Sequence, residues 1–236
     1  LLILSRLKKE TKNIELFVPY LPYARQDREN KKGEAVSADV LCGILKSFGV
    51  KKLITYDCHF LPRSGNFKRQ GLLIENESAG KQLMIYAKKY FSKEKKKEKF
   101  VVISPDAGSS YFIENARGYK GHSLQKTRKE SKTTGIKTGI HADIHKIEGE
   151  ADVRGKNVCI LDDIISTGGT IIRAIKHLKS RGAKKIIVGT VHGIFAGEKI
   201  PEKILKNSCS KIFITNAIIC NNDDKNNVEI LKLPKN

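Results

Sequence analysis

Six short runs dense in Val and Ile alternate along this chain with segments of helical period, and that alternation restricts the fold more than any other feature. The runs are Glu15 to Pro19, Lys52 to Asp57, Phe100 to Ser104, Asn157 to Leu161, Lys185 to Val191 and Lys211 to Thr215. None exceeds seven residues and none alternates strictly between apolar and polar, which is the pattern of strands covered on both faces. Ser37 to Phe48 reads as a helix with a Ser at its start and a stop before Gly49; Ser78 to Tyr90 and Thr170 to Ser180 behave similarly. Strands separated by helices pair in parallel, so the pattern predicts an α/β fold. It divides into two units, Leu1 to about Glu75 and about Asn76 to Cys220, with 221–236 as a tail. No Gly/Ser-rich or Pro-rich linker parts them.

Composition narrows the partners. No stretch approaches the roughly 20 apolar residues needed to cross a bilayer, and Leu1 to Leu7 lack the basic start and small-residue cleavage site of a secretion signal. The five cysteines, Cys42, Cys58, Cys159, Cys209 and Cys220, form no CxxC pair and suit reduced thiols in the cytoplasm. A net charge of +20 fits either nucleic-acid binding or a field that attracts small polyanions. Much of it is lysine, as in Lys93 to Lys99, with no RNA-binding motif of interleaved aromatics, so a solvated surface accounts for the bulk. Neither nucleic acid nor membrane is an expected partner. From Gly118 to Arg154 the hydrophobic period fades into Lys, Thr and Gly. A stretch of that length inside a compact domain is mobile, functional or both.

The sharpest chemical signal is the string from Cys159 to Thr170, CILDDIISTGGT. A buried strand is expected to end in Asp162 and Asp163, and a turn rich in hydroxyls and glycine then opens a helix. Gly168 and Gly169 let the backbone approach an anion, and free N–H groups at a helix start favour phosphate. Ser166, Thr167 and Thr170 add hydroxyl donors, while the paired acids can take sugar hydroxyls, directly or through a metal. No Walker A or GxGxxG string occurs.

This stretch resembles the phosphoribosyl-diphosphate loop shared by phosphoribosyltransferases and ribose-phosphate pyrophosphokinases. The resemblance implies Asp162 and Asp163 on the ribose hydroxyls and Ser166, Thr167, Gly168, Gly169 and Thr170 around the 5-phosphate. Ser166 stands where many pyrophosphokinases have Asp and is closer to the archaeal-type loop. Other segments favour the pyrophosphokinase branch. Pro19 to Asp27, PYLPYARQD, is similar to that family's PY-x-x-YARQD, implying that Arg25 and Gln26 bind ATP. Asp57-Cys58-His59 matches its D-x-H, implying His59 on the magnesium nucleotide, and Ser104 to Gly108 matches SPDxG, implying Asp106 as a magnesium ligand. Lys126 and Arg128 match a K-x-R pair at the base of a catalytic loop, placed to stabilise the transferring diphosphate. His192 to Phe195 resembles T-H-G-x-F and is expected to shape a sheet edge or a subunit contact.

The resemblance implies two phosphoribosyltransferase-like units, each a mainly parallel sheet flanked by helices. It implies diphosphate transfer from Mg-ATP to ribose 5-phosphate, giving PRPP and AMP for nucleotide biosynthesis. It further implies a cytoplasmic homo-oligomer whose ATP site is shared between subunits. A phosphoribosyltransferase and a non-catalytic regulatory homologue remain as alternatives. Family members also carry an F-x-D-G-E segment upstream of the position matching Leu1, and no such string occurs here. Since residue 1 is Leu, the chain is expected to begin inside a longer protein, with its adenine pocket incomplete as written.

Overall fold

The structure is a computed structural model that describes residues 1–29, 31–92, 100–105, 121–128, 145–148, 151–218 and 228–233, without the side chains of 121, 125–128 and 145–148. The first sheet holds β1 (Ile14–Phe17), β2 (Val50–Tyr56), β3 (Gly65–Arg69) and β4 (Leu72–Glu77) in the order β1-β2-β4-β3. β1, β2 and β4 run parallel, and β3 returns antiparallel beside β4. The β3–β4 turn is Gln70-Gly71, both at positive φ (50° and 72°), which gives the twist that a two-residue hairpin requires. β4 was not expected from sequence, although its alternate residues Leu72 and Ile74 are fully buried. They pack with Leu53 of β2, Leu4 of α1 (Leu2–Glu10) and Cys42 and Leu45 of α2 (Ser37–Ser47).

The second sheet is entirely parallel. It contains β5 (Phe100–Ser104), β6 (Gly121–Ser123), β9 (Asn157–Ile165), β10 (Lys185–Gly193), β11 (Lys211–Thr215) and β12 (Val228–Leu231), in the order β12-β11-β10-β9-β5-β6. α3 (Gly80–Ser92) covers one face; α4 (Gly169–Ser180) and α5 (Ile200–Lys206) cover the other. Alternate residues of each central strand go to opposite cores. On β9, Val158 and Ile160 face α4, whereas Cys159 and Leu161 face α3. Burial on both faces explains the unbroken apolar runs.

Between β6 and β9 in sequence, β7 (Gln125–Arg128) and β8 (His145–Glu148) form an antiparallel ribbon. The α/β class and the parallel sheets flanked by helices are as expected. Several element bounds shift by a few residues, and one shift bears on the site: β9 does not stop at the acids but runs on to Ile165, because Asp162, Ile164 and Ile165 keep their places opposite Thr190, His192 and Gly193. The acids lie within the strand. Cys42, Cys58, Cys159 and Cys209 are buried and free; Cys220 lies outside the described residues. Among the described residues no helix is long and apolar enough to cross a membrane.

Chain direction positions the site. From β5 the chain moves outward to β6, then returns to β9 on β5's other side and proceeds through β10 to β12. The strand order therefore reverses between β5 and β9, and the crevice beyond the carboxyl ends of such neighbours is where open α/β sheets bind ligands.

Candidate active site

At that crevice β9 delivers Asp162 and Asp163, 6% and 5% exposed, and the chain turns through Ser166 to Gly168 into α4. Gly168 has φ 74°, and a Cβ there would stand 3.0 Å from Ile200 Cγ2, so both conformation and space demand glycine. The start of α4 has no side-chain cap and no acid in its first turn. Its leading N–H groups are thus left for an anion rather than consumed by the protein. One further cation approaches the turn: Arg173 Nη1 lies 3.4 Å from where a Gly169 Cβ would stand. Sequence reading missed it, though a residue four after Gly169 on a helix shares its face.

The acids are partly satisfied within the strand. Asp162 Oδ1 accepts from the Asp163 N–H (3.0 Å), and Asp163 Oδ1 accepts from the Ile164 N–H (2.8 Å). The other oxygen of Asp163 reaches across to the first sheet, where His59 Nδ1 donates to Asp163 Oδ2 at 2.5 Å. These residues are 104 apart in sequence. Burial pushes the Asp163 carboxyl up, but its hydrogen bond to His59 and the charge of that ring more than offset this, so it is held below its ordinary value. The same bond raises His59, against the opposing effect of burial. This hydrogen bond joins the two sheets across the cleft. Arg25, His59 and residues 162–171 line this cleft together.

Gln26 does not line it. Its side-chain oxygen accepts from the Ser37 hydroxyl at the start of α2, and its carbonyl accepts from Ala38 N. Arg25 and Gln26 therefore diverge, one toward the cleft and one toward α2. Asp106 lies outside the described residues. Lys126 and Arg128 lie in β7, opposite Ile147 and His145, and their side chains lie outside the described set.

His192 corrects an expectation. It lies in β10, which is flanked by β9 and β11, so it is in the sheet's interior and not at an edge. It is 1% exposed, its Nε2–H donates to the Tyr56 carbonyl at 2.9 Å, and its ring lies 5.0 Å from that of Tyr20. Burial pushes its pKa down to about 4, which keeps it neutral near pH 7. His192 therefore joins the two sheets beneath the cleft, while the His59–Asp163 pair joins them within it.

Known proteins resemble this chain over nearly its whole length. A family model described as the phosphoribosyl transferase domain matches residues 73–222, and one described as the N-terminal domain of ribose phosphate pyrophosphokinase matches residues 1–49. The ribose-phosphate pyrophosphokinase of Thermococcus kodakarensis is 32% identical over 218 residues, covering 89% of this chain and 69% of its own length. That of Corynebacterium efficiens is 27% identical over 234 residues, covering 99% of this chain and 68% of its own. That of Aquifex aeolicus is 30% identical over 222 residues, covering 92% and 66%. The crystal structure of phosphoribosylpyrophosphate synthetase from Mycobacterium smegmatis superimposes with a TM-score of 0.77 at 25% identity, covering 98% of this chain and 71% of that one. The chain spans about two thirds of the length of these curated relatives.

Proposed function

The chain belongs to the ribose-phosphate pyrophosphokinase family, and on that premise we propose that its cleft moves the diphosphate of ATP onto ribose 5-phosphate, giving PRPP and AMP. The observation that carries this reading is the His59–Asp163 contact. It brings a segment whose resemblance is to nucleotide binding against a loop whose resemblance is to ribose-phosphate binding.

In this reading Ser166 to Thr170 hold the 5-phosphate through free N–H groups and hydroxyls, with Arg173 adding charge. Asp162 and Asp163 accept from the ribose hydroxyls and so orient the C1 hydroxyl. Arg25 and His59 face the nucleotide. Gln26 acts on the nucleotide side by holding its segment to α2. The C1 oxygen attacks the β-phosphorus, the bond from that phosphorus to the α–β bridging oxygen breaks, and AMP leaves with that oxygen. The protein forms no covalent bond, so the rate enhancement comes from alignment and charge stabilisation. Lys126 and Arg128 are proposed to take up the negative charge gathering on the transferring diphosphate.

The donor set suits magnesium as the nucleotide's companion ion. Magnesium is usually held by one or two carboxylates plus substrate phosphates and water, not by an all-protein cage. Among the described residues no group of three or more His, Cys, Asp or Glu stands ready to hold a metal. His59 presents Nε2 while Asp163 occupies its Nδ1, the arrangement by which a carboxylate orients a ligating imidazole. With Asp106, it would hold the ion, which when bound neutralises phosphate charge.

The change from one sheet to the other between β4 and β5 supports a two-unit division, with the boundary after Glu77 at the end of β4 and not within that strand at residue 75. The family supports a homo-oligomer with a shared ATP site, and the buried free thiols suit a cytoplasmic enzyme. A phosphoribosyltransferase is not favoured, because the N-terminal match and the nucleotide-side segment have no part in that chemistry. A regulatory homologue is not favoured, because both loop acids are in place. The test is AMP production from ATP and ribose 5-phosphate with magnesium. AMP appearing only with all three supports the proposal; PRPP consumption with a base, and no AMP, contradicts it.

A further inference from the structure

β2 and β3 lie on opposite sides of β4, so the connection between them, 57–64, must cross the carboxyl end of β4. His59 sits in that crossing. Asn76, the next-to-last residue of β4, is 2% exposed, and both ends of its amide are engaged there. Its Oδ1 accepts from the Cys58 N–H at 2.9 Å, and its Nδ2 donates to the Arg63 carbonyl at 2.8 Å. One side chain therefore ties the outgoing and returning arms of the crossing to the strand beneath them.

Between those ties the chain makes a tight turn, with Leu61 N–H donating to the Cys58 carbonyl at 2.8 Å, so His59 occupies its first corner. The entry is fixed too. Asp57 is fully buried at φ 38°; its N–H donates to the Glu77 carbonyl (2.8 Å) and its Oδ2 accepts from Ala79 N–H (2.7 Å). A left-handed conformation at a non-glycine residue persists where its surroundings over-determine it. These restraints converge on a corner residue whose ring reaches Asp163 on the other sheet.

We propose that Asn76 is a positioning residue of the active site, acting through His59 by clamping the crossing that carries it. This rests on the reading that the cleft binds nucleotide through His59. Loss of the amide leaves the Cys58 N–H and the Arg63 carbonyl without their partner, and the corner between them drifts. A misplacement of about 1 Å at a reacting centre can cost ~10²-fold in rate.

The test is a double-mutant cycle on the full chain, with Asn76→Ala, His59→Ala and both together, following AMP formation. Asn76→Ala is expected to lower kcat/KM for ATP by ~10²-fold and to leave the KM for ribose 5-phosphate within about twofold. In the His59→Ala background the same change is expected to cost less than about twofold, because coupled residues are non-additive where distant ones add. Equal losses in both backgrounds overturn the proposal. An activity-independent readout accompanies the cycle: the downfield NMR proton of the His59–Asp163 hydrogen bond, expected in the unsubstituted protein and lost in Asn76→Ala. Its retention overturns the proposal even if the unsubstituted protein makes no AMP, an outcome that would by itself contradict only the functional reading. Should Asn76→Ala not fold, Asn76→Asp keeps the acceptor for Cys58 and removes the donor to Arg63. It is expected to show a smaller loss alone and none in the His59→Ala background.

Discussion

Residues on the two sides of the cleft reach it by different routes. The loop side, Asp162 to Thr170, is one unbroken strand, turn and helix start, so its geometry is set by neighbours in sequence. The facing side takes Arg25 from the segment after β1 and His59 from the crossing after β2, and its geometry depends on strand order and on buried ties from β4 and from Ala79, just before α3. A contiguous site is robust to changes elsewhere and sensitive at its own glycines. An assembled site is sensitive at residues that never touch a ligand.

Asp163 belongs to both sides, and its replacement should have the largest effect. Asp163→Asn removes a charge from the ribose side and the carboxylate that accepts from His59, and kcat/KM for AMP formation should fall on the order of 10³-fold. A loss confined to one substrate's KM would break the idea that this residue joins the halves. His59→Ala should cost ~10²-fold in kcat/KM for ATP while leaving calorimetric affinity for ribose 5-phosphate nearly unchanged. Equal loss for both ligands would show that the sides are not separable.

Gly168→Ala probes the contiguous side alone. The imposed positive φ and the crowding against Ile200 should destabilise the fold by ~1–2 kcal/mol in urea unfolding and raise the KM for ribose 5-phosphate several-fold, with the KM for ATP little changed. His192 probes the joint beneath. In the unfolded chain it takes a proton below about 6.5, whereas in the folded protein burial delays this to about 4. Its stabilising contribution is therefore complete above pH 6.5 and is lost as pH falls toward 4, by up to a few kcal/mol. His192→Gln should flatten that part of the stability profile relative to the unsubstituted protein. Asp163, whose pKa is lowered mainly by His59 and in smaller part by His192, contributes an acid-side loss to both proteins.

The same contrast explains what the sequence discloses. β5 and β11 appear in it with the observed bounds, because burial on both faces leaves a continuous apolar run. The phosphate loop is legible for a local reason: acids, hydroxyls and glycines lie side by side, and the demand for glycine at 168 is a property of the turn itself. β9 reads short because Asp162 and Asp163 look like the end of a strand, yet ladder partners and neighbouring N–H groups keep them buried in it. His192 reads as an edge residue because nothing in its neighbourhood reveals that β11 will pair outside β10. Asn76 is invisible as a string. Its importance arises only once β2, β4 and β3 lie side by side. Arg25 and His59 could be named from resemblance, but their meeting with residues more than a hundred positions away is a product of the packed fold.

If this cleft transfers an intact diphosphate from ATP to ribose 5-phosphate, the β-phosphorus of ATP must end on the sugar. The most direct measurement supplies ATP labelled with 32P at the β position, together with ribose 5-phosphate and magnesium, and separates the products. Label is expected in the sugar product and unlabelled AMP beside it, in equal molar amounts. Label in ADP, or a sugar product carrying only the γ-phosphate, would contradict it.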